Sequence, residues 1–386
     1  MKNLLTSIFC SLFLSLIGQS QNQHLKTVTI ESEHLNQMRE IVIYKSANYD
    51  VTQSALFNVI YVFDAHDQAL FDYAASVAQF AKEGHPGFLI VGIKATYIES
   101  LQYGRNNDLL PSGTTFRLGP AGGNADNYLQ YVKNEVIPYV ENNYRTLPRR
   151  TGVGHSLGAS FLLYGMVNNP DLFDNYIAVS PNLSYDNNYL VSRLKNFDSK
   201  QFETPKYLYL SHANEAIDTS FWPGWKEAIQ KAYPVVDELK NENFIVKTGS
   251  FPNKLHREGF IPAYLDALDY FFTTIENKQE KILSEKTYEV TFRIKVPNKD
   301  DEIYITGNQE SLAYWDPGKI KLKATEPFLR EITLKVQDPV MAKFTRGSWE
   351  SEAWIKIEDG QANFPIMKRP KDGDIYSAEI LSFGND

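Results

Sequence analysis

The sequence predicts an α/β fold with a mostly parallel sheet, followed by a small all-β sandwich. Two observations carry that reading: strand-like and helix-like segments alternate from Phe57 to Ile275, and the apolar period changes to two from Tyr288 onward. Phe57 to Phe63 and Gly87 to Ile93 are short, continuously apolar runs of the kind found in strands covered on both faces. Between them Gln68 to Ala81 has helical spacing. The alternation continues with a helix over Asn127 to Asn143, a strand ending at Gly154, a helix from Leu157, and strands at Tyr176 to Val179, Tyr207 to Leu210 and Phe244 to Lys247. Ahead of these, Lys26 to Ile30 and Glu40 to Tyr44 alternate apolar and polar residues around a turn-prone stretch, the pattern of an edge hairpin. A last helix, Ile261 to Ile275, runs into the charged stretch Glu276 to Lys286, which contains neither glycine nor proline. Beyond it, Tyr288 to Val296, Glu302 to Thr306, Arg330 to Val336 and Ala342 to Thr345 read as strands of the sandwich.

A chain of 386 residues, 43% hydrophobic and 22% charged, can bury two cores, so both units should be globular. The N-terminus begins Met-Lys-Asn, then carries an apolar run from Leu4 to Ile17 and the small residues Gly18 and Ser20. That is the form of a secretory signal peptide over residues 1–20, and the run is short for a bilayer span. The expected organisation is therefore a signal peptide over 1–20, an α/β domain over 25–276, a linker over 277–286 and a β-sandwich over 287–386. The product is expected to be exported, to the periplasm, the cell surface or the medium, with no stable membrane span. The single cysteine, Cys10, lies inside the apolar run, so cleavage leaves no disulfide, thiol nucleophile or cysteine metal site. The formal charge is −8, and no block of lysine and arginine stands out, which argues against nucleic acid as a partner.

Gly154-His155-Ser156-Leu157-Gly158 fits the turn on which a nucleophilic serine stands between a strand and a helix. Arg150-Thr-Gly-Val before it and Leu157 to Val167 after it supply that strand and helix. A serine hydroxyl needs a base, and His256 follows the strand Phe244 to Lys247 and precedes the last helix. His212, at a strand end, reads as a hydrogen-bonded structural histidine. The acid that orients the base should lie in a loop between serine and histidine, which leaves Glu215 as first choice and Asp218 as the alternative. Backbone amides must receive the oxyanion: Leu157 gives one, and the loop Asp64-Ala65-His66 gives the second through Ala65. His66 is a candidate substrate contact. This chemistry calls for no metal and no organic cofactor.

Val-Ile-Tyr-Val-Phe-Asp64, Arg105-Asn-Asn-Asp108-Leu-Leu-Pro111, Tyr144-Arg-Thr, the Ser156 pentapeptide and Val179-Ser-Pro-Asn-Leu183 together resemble the esterase D-like branch of α/β-hydrolases, which includes enterochelin (siderophore) esterases. The resemblance covers Val28 to Ile275 and extends more distantly to feruloyl and acetyl xylan esterases. It implies that Ser156 and His256 perform the chemistry, and that Arg105 and Asp108 help shape the substrate side, with His155 beside them. The family tends to carry a glycine near the acid, which Ser211-His-Ala-Asn-Glu215 lacks. The C-terminal unit is similar to family-20 starch-binding modules, through Ile303-Tyr-Ile-Thr-Gly307-Asn308, Leu312-Ala-Tyr-Trp315-Asp316-Pro317 and Lys343-Phe344-Thr-Arg346-Gly-Ser-Trp349-Glu350. Exposed aromatics stack on sugar faces, so Trp349 or Trp354 would be a platform for a polysaccharide, while Trp315 is expected in the core. The expected function is an exported serine esterase acting on a carbohydrate-linked, siderophore or small acyl ester. The competing reading is a non-catalytic carbohydrate-binding protein on a hydrolase scaffold.

Overall fold

The computed structural model describes residues 24–51, 56–80, 82, 87–95, 104–114, 121–215, 224–279, 283–357, 360–363, 366–368 and 370–386. The expected signal segment lies outside the described residues. The main sheet is formed by β1 (Leu25–Ser32), β2 (Gln37–Lys45), β3 (Phe57–Phe63), β4 (Phe88–Ile93), β5 (Thr146–His155), β6 (Asn175–Val179), β7 (Lys206–His212) and β8 (Phe244–Ser250). Its eight strands run in the order β1-β2-β4-β3-β5-β6-β7-β8. The β1–β2 hairpin and the β2–β4 pair are antiparallel. Every pairing from β4 to β8 is parallel.

Alternation along β3 shows why a continuously apolar run is required there. Val59, Tyr61 and Phe63 enter one core with Tyr128, Phe161 and Phe173, while Ile60 and Val62 enter a second with Phe71, Phe260 and Tyr264. Successive side chains of a strand point to opposite faces, so a central strand covered on both sides has no polar position to spare. The helix expected over 127–143 is present, but it is broken into Ala125–Tyr131, a π turn over Val132–Val136, and Ile137–Asn143. Pro138, which has no N–H to donate back to the preceding turn, stands just inside the last segment.

Residues 287–386 form a sandwich of a six-stranded and a four-stranded sheet. Phe292, Ile305, Phe344 and Tyr376 meet in its core. Its pairings are antiparallel except that Thr287–Lys295 lies parallel to Asp374–Phe383. The expected linker is not a free tether at its start. Glu276–Gln279 is helical, Glu276 is ion-paired to Lys82 at 2.6 Å, and the Gln279 side-chain amide donates to Asn175 Oδ1 at 2.9 Å and to the Pro205 carbonyl at 3.0 Å. Gln279 and Asn175 are both buried, so these bonds satisfy groups that water cannot reach.

The sandwich meets the same end of the sheet, where Asp338 and Pro339 line one crevice with Pro148, Asp174 and Pro205. Asn175 and Pro205 stand at the N-terminal ends of β6 and β7, whereas Ser156, Ser180, Glu215 and His256 all follow C-terminal ends of strands. At about 3.3 Å per residue, the strands separate the two regions by on the order of 20 Å. No helix among the described residues is long and apolar enough to cross a membrane.

Candidate active site

Ser156 occupies the turn between β5 and the helix Leu157–Asn168, with φ 58° and ψ −123°. Its N–H donates to the Val179 carbonyl at 3.0 Å, which ties the turn to the end of β6. The flanking glycines are sterically required. A Cβ on Gly154 would lie 2.4 Å from the carbonyl carbon and oxygen of Gly158, and one on Gly158 would lie 2.7 Å from Asp64 Oδ2. Leu157 opens the helix, so its amide has no carbonyl one turn earlier in the helix to accept it.

His256 and Glu215 come together from the loops after β8 and β7. His256 Nδ1 donates to Glu215 Oε2 at 2.8 Å, which fixes the tautomer and leaves Nε2 as the basic nitrogen. Glu215 Oε1 accepts the Ala213 N–H at 3.0 Å. Burial acts to raise the Glu215 carboxyl, but the hydrogen bond and charge of His256, with the Ser180 hydroxyl and the Ala213 amide, hold it below its ordinary value. Asp218, the alternative acid, lies outside the described residues.

The His256 ring is bracketed on two sides. His155 lies at a ring-centroid distance of 4.5 Å, and Trp225 meets it edge-on at 4.8 Å. Trp225 is itself fixed by donation from Nε1 to the Pro181 carbonyl at 2.8 Å. His155 Nε2 lies 3.0 Å from the His256 carbonyl. A carbonyl only accepts, so Nε2 carries the hydrogen. Burial, and then the neighbouring His256, push His155 down to about 4. His155 was expected among the substrate contacts. The structure makes it a buried support for His256 instead.

Two further expectations are corrected. The Ala65 N–H is committed to the Ile93 carbonyl at 3.2 Å, and the Asp67 N–H closes the turn onto the Asp64 carbonyl at 2.9 Å. The amide left without an acceptor in that turn is His66, whose side chain is exposed. Asp108 is not on the substrate side: it is 2% exposed and paired to buried Arg39 at 2.7 Å. Trp349, expected as a sugar platform, is exposed on the C-terminal sandwich. Arg105 does lie at the site, held in two hydrogen bonds by Asp64. His212 has the expected structural role, with Nδ1 at 2.5 Å from the Tyr233 hydroxyl and Nε2 at 3.1 Å from Ser250 Oγ. Sequence reasoning missed Trp225. The helix Trp225–Glu238 buries residues 225, 228, 229, 232 and 236, a helical period that makes Trp225 inward-facing. Its contact with His256 has no local signature.

The strand order, the strained serine and the His–Glu pair on successive strand ends define an α/β-hydrolase fold. The chain belongs to the esterase family: the family model described as "Putative esterase" matches residues 32–257. It is similar to the ferri-bacillibactin esterase BesA of Bacillus subtilis, 27% identical over 178 residues that cover 42% of this chain and 61% of that one. It is also similar to the siderophore triacetylfusarinine C esterase of Aspergillus fumigatus, 30% identical over 125 residues, 32% of this chain and 40% of that one. The matched segments span from 27% to 64% of the length of these curated relatives. Among solved structures, an IroE-like serine hydrolase from Shewanella oneidensis superposes with TM-score 0.56 at 23% identity, covering 64% of this chain and 80% of that one. The siderophore hydrolase EstA from Aspergillus nidulans does so with TM-score 0.54 at 20% identity, covering 66% and 96%. At those identities the two structures show a shared fold.

The His155 environment predicts a pH dependence of stability. Its folded value of about 4 lies below the ordinary 6.5, so the unfolded chain binds the proton more readily. The contribution is fully present above about pH 6.5 and is lost as pH falls towards 4, by roughly 3 kcal/mol at about 1.4 kcal/mol per unit. Urea unfolding at pH 7.5 and 4.5 should show a smaller loss on acidification in His155→Phe than in wild type. Equal losses would contradict this reading.

Proposed function

We propose that this protein is a serine esterase that cleaves the ester bonds of a siderophore through an acyl-serine intermediate. The observation that carries the proposal is the 2.8 Å pairing of His256 Nδ1 with the buried carboxylate of Glu215, on the strand ends beside the strained Ser156. The substrate class is drawn from the relatives, which are siderophore esterases from a bacterium and a fungus. Ester bonds in such molecules are carboxylic esters, the group that an activated hydroxyl attacks.

In the proposed sequence of steps, His256 Nε2 takes the Ser156 proton as Oγ attacks the ester carbonyl carbon. Ser156 Oγ makes no hydrogen bond to a described residue, and the contact between a nucleophile and its base commonly tightens only with substrate in place. The tetrahedral oxyanion is received by the amides of Leu157 and His66. His256 then protonates the leaving alkoxide, the acyl-serine forms, and water activated by the same histidine releases the acid. Glu215 holds the imidazole in the productive tautomer and stabilises its cation, without taking the proton itself.

The non-catalytic carbohydrate-binding alternative requires a missing member, and Ser156, His256 and Glu215 are all present. Hydrolysis of a triester siderophore, an acetylated oligosaccharide and p-nitrophenyl acetate, followed chromatographically, should show serine-dependent turnover with the siderophore preferred in kcat/KM. Ser156→Ala should lose on the order of 10⁶-fold in kcat and Glu215→Gln about 10²- to 10⁴-fold. Turnover equal to that of Ser156→Ala would remove the enzyme reading, and preference for the sugar ester would remove the siderophore.

We also propose export, from the apolar run Leu4 to Ile17. The N-terminus of the protein recovered from outside the cytoplasm should begin at Gln21. Recovery of residues 1–20 intact on cytoplasmic protein would contradict export.

A further inference from the structure

The ion pair between Asp64 and Arg105 stands outside the Ser–His–Glu set, yet it touches both elements that would receive an oxyanion. Arg105 Nε donates to Asp64 Oδ1 at 2.6 Å and Nη2 to Oδ2 at 2.7 Å. The same Nη2 lies 3.4 Å from the carbonyl of His155, the residue before the nucleophile. A planar fork held at two points fixes direction as well as charge, which an ammonium cannot do.

Asp64 is not a free carboxylate recruited by this arginine. It has φ 65°, in the left-handed region, at the start of the turn that presents the unaccepted His66 amide. Its Oδ2 also stands against the elbow helix, at the spot that leaves no room for a side chain on Gly158. One guanidinium therefore grips the turn that carries His66 and the strand end that carries Ser156 and Leu157.

Arg105 is in turn held from behind. It lies on the helix Gly104–Leu109, whose Asp108 is paired to Arg39 on β2. The Arg39 guanidinium sits 5.4 and 5.7 Å from the rings of Tyr128 and Tyr131, and Nη2 also reaches the Lys94 carbonyl at 3.3 Å. A buried pair of this kind leaves little freedom for the helix to slide.

We propose that Arg105, acting through Asp64, is a positioning residue that sets the separation between the His66 and Leu157 amides and thereby the fit of the oxyanion hole. It orients the donors and does not bind the substrate. The proposal rests on the esterase reading above. Loss of an oxyanion donor costs about 10²- to 10³-fold in kcat, so loosening two donors without removing either should cost roughly 10- to 100-fold.

The test compares wild type, Asp64→Asn, Arg105→Gln, Arg105→Lys and the Asp64→Asn/Arg105→Gln double variant on p-nitrophenyl acetate, with thermal melts to establish folding. We expect kcat to fall with KM within about twofold, the double variant to be no worse than the worse single, and Arg105→Lys to recover only part of the loss. Affinity for a trifluoromethyl ketone, whose serine adduct carries the oxyanion, should fall by the same factor as kcat/KM, a correlation that a general structural role does not produce. If Arg105→Gln fails to fold, Asp64→Asn and Arg105→Lys carry the same comparison. A raised KM in Arg105→Gln with Asp64→Asn unaffected would show direct substrate binding and overturn the proposal. So would additive losses, or a ketone affinity that does not follow kcat/KM. Absence of turnover by wild type would instead remove the esterase reading on which the proposal stands.

Discussion

Ser156 is held at φ 58° and ψ −123°, a conformation that side-chain-bearing residues avoid at a cost of about 1–3 kcal/mol. The surroundings over-determine it. The Ser156 N–H is bound to Val179 at 3.0 Å, Gly154 and Gly158 leave no space for a Cβ, and the helix begins at the next residue. The turn sets the hydroxyl off the strand line, the helix that starts beyond it leaves the Leu157 amide with no acceptor within the helix, and Gly158 lets Asp64 approach the helix start. The other parts of the site are placed with respect to this turn.

The second determinant is the sheet itself. Parallel strands deliver their C-terminal ends to one edge, so Ser156, Ser180, Glu215 and His256 arrive together although they are spread over a hundred residues of chain. His256 sits on a loop, and loops position poorly by themselves. Its orientation comes from what touches the ring: Glu215 on Nδ1, His155 on one side and Trp225 on another. A neutral His155 suits this place, because a second cation there would oppose the imidazolium that the proposed proton transfer forms. The opposite edge of the sheet bonds the Gln279 side chain and meets Asp338 and Pro339 of the C-terminal sandwich. Chemistry and docking thus use the two ends of the same strands.

Much of this is legible in the sequence where a local rule applies. The continuous apolar run of β3 and the period-two pattern of Thr287–Lys295 report burial on two faces and on one face, and both become strands. The Ser156 pentapeptide carries its own geometry, because glycine at two fixed positions is a steric demand. The free amide of the Asp64 turn is His66 instead of Ala65, since which amide of a turn stays free depends on Ile93 of a neighbouring strand. Asp108 and His155 are misplaced for a related reason. A polar residue next to a catalytic motif looks like a ligand contact in one dimension, and only Arg39 from β2 or the ring of His256 shows that it is a buried support. The start of the expected linker is polar because it bonds buried groups at the base of the sheet, and composition cannot separate that from solvation.

The central claim is that Ser156 is a nucleophile activated by His256. Mass spectrometry after exposure to a fluorophosphonate tests it most directly, because the reagent forms a stable adduct with an activated serine and leaves ordinary hydroxyls unmodified. The account predicts one adduct, on the peptide containing Ser156, formed far more slowly in His256→Ala. An unmodified wild-type protein, or an adduct on another residue, would contradict it.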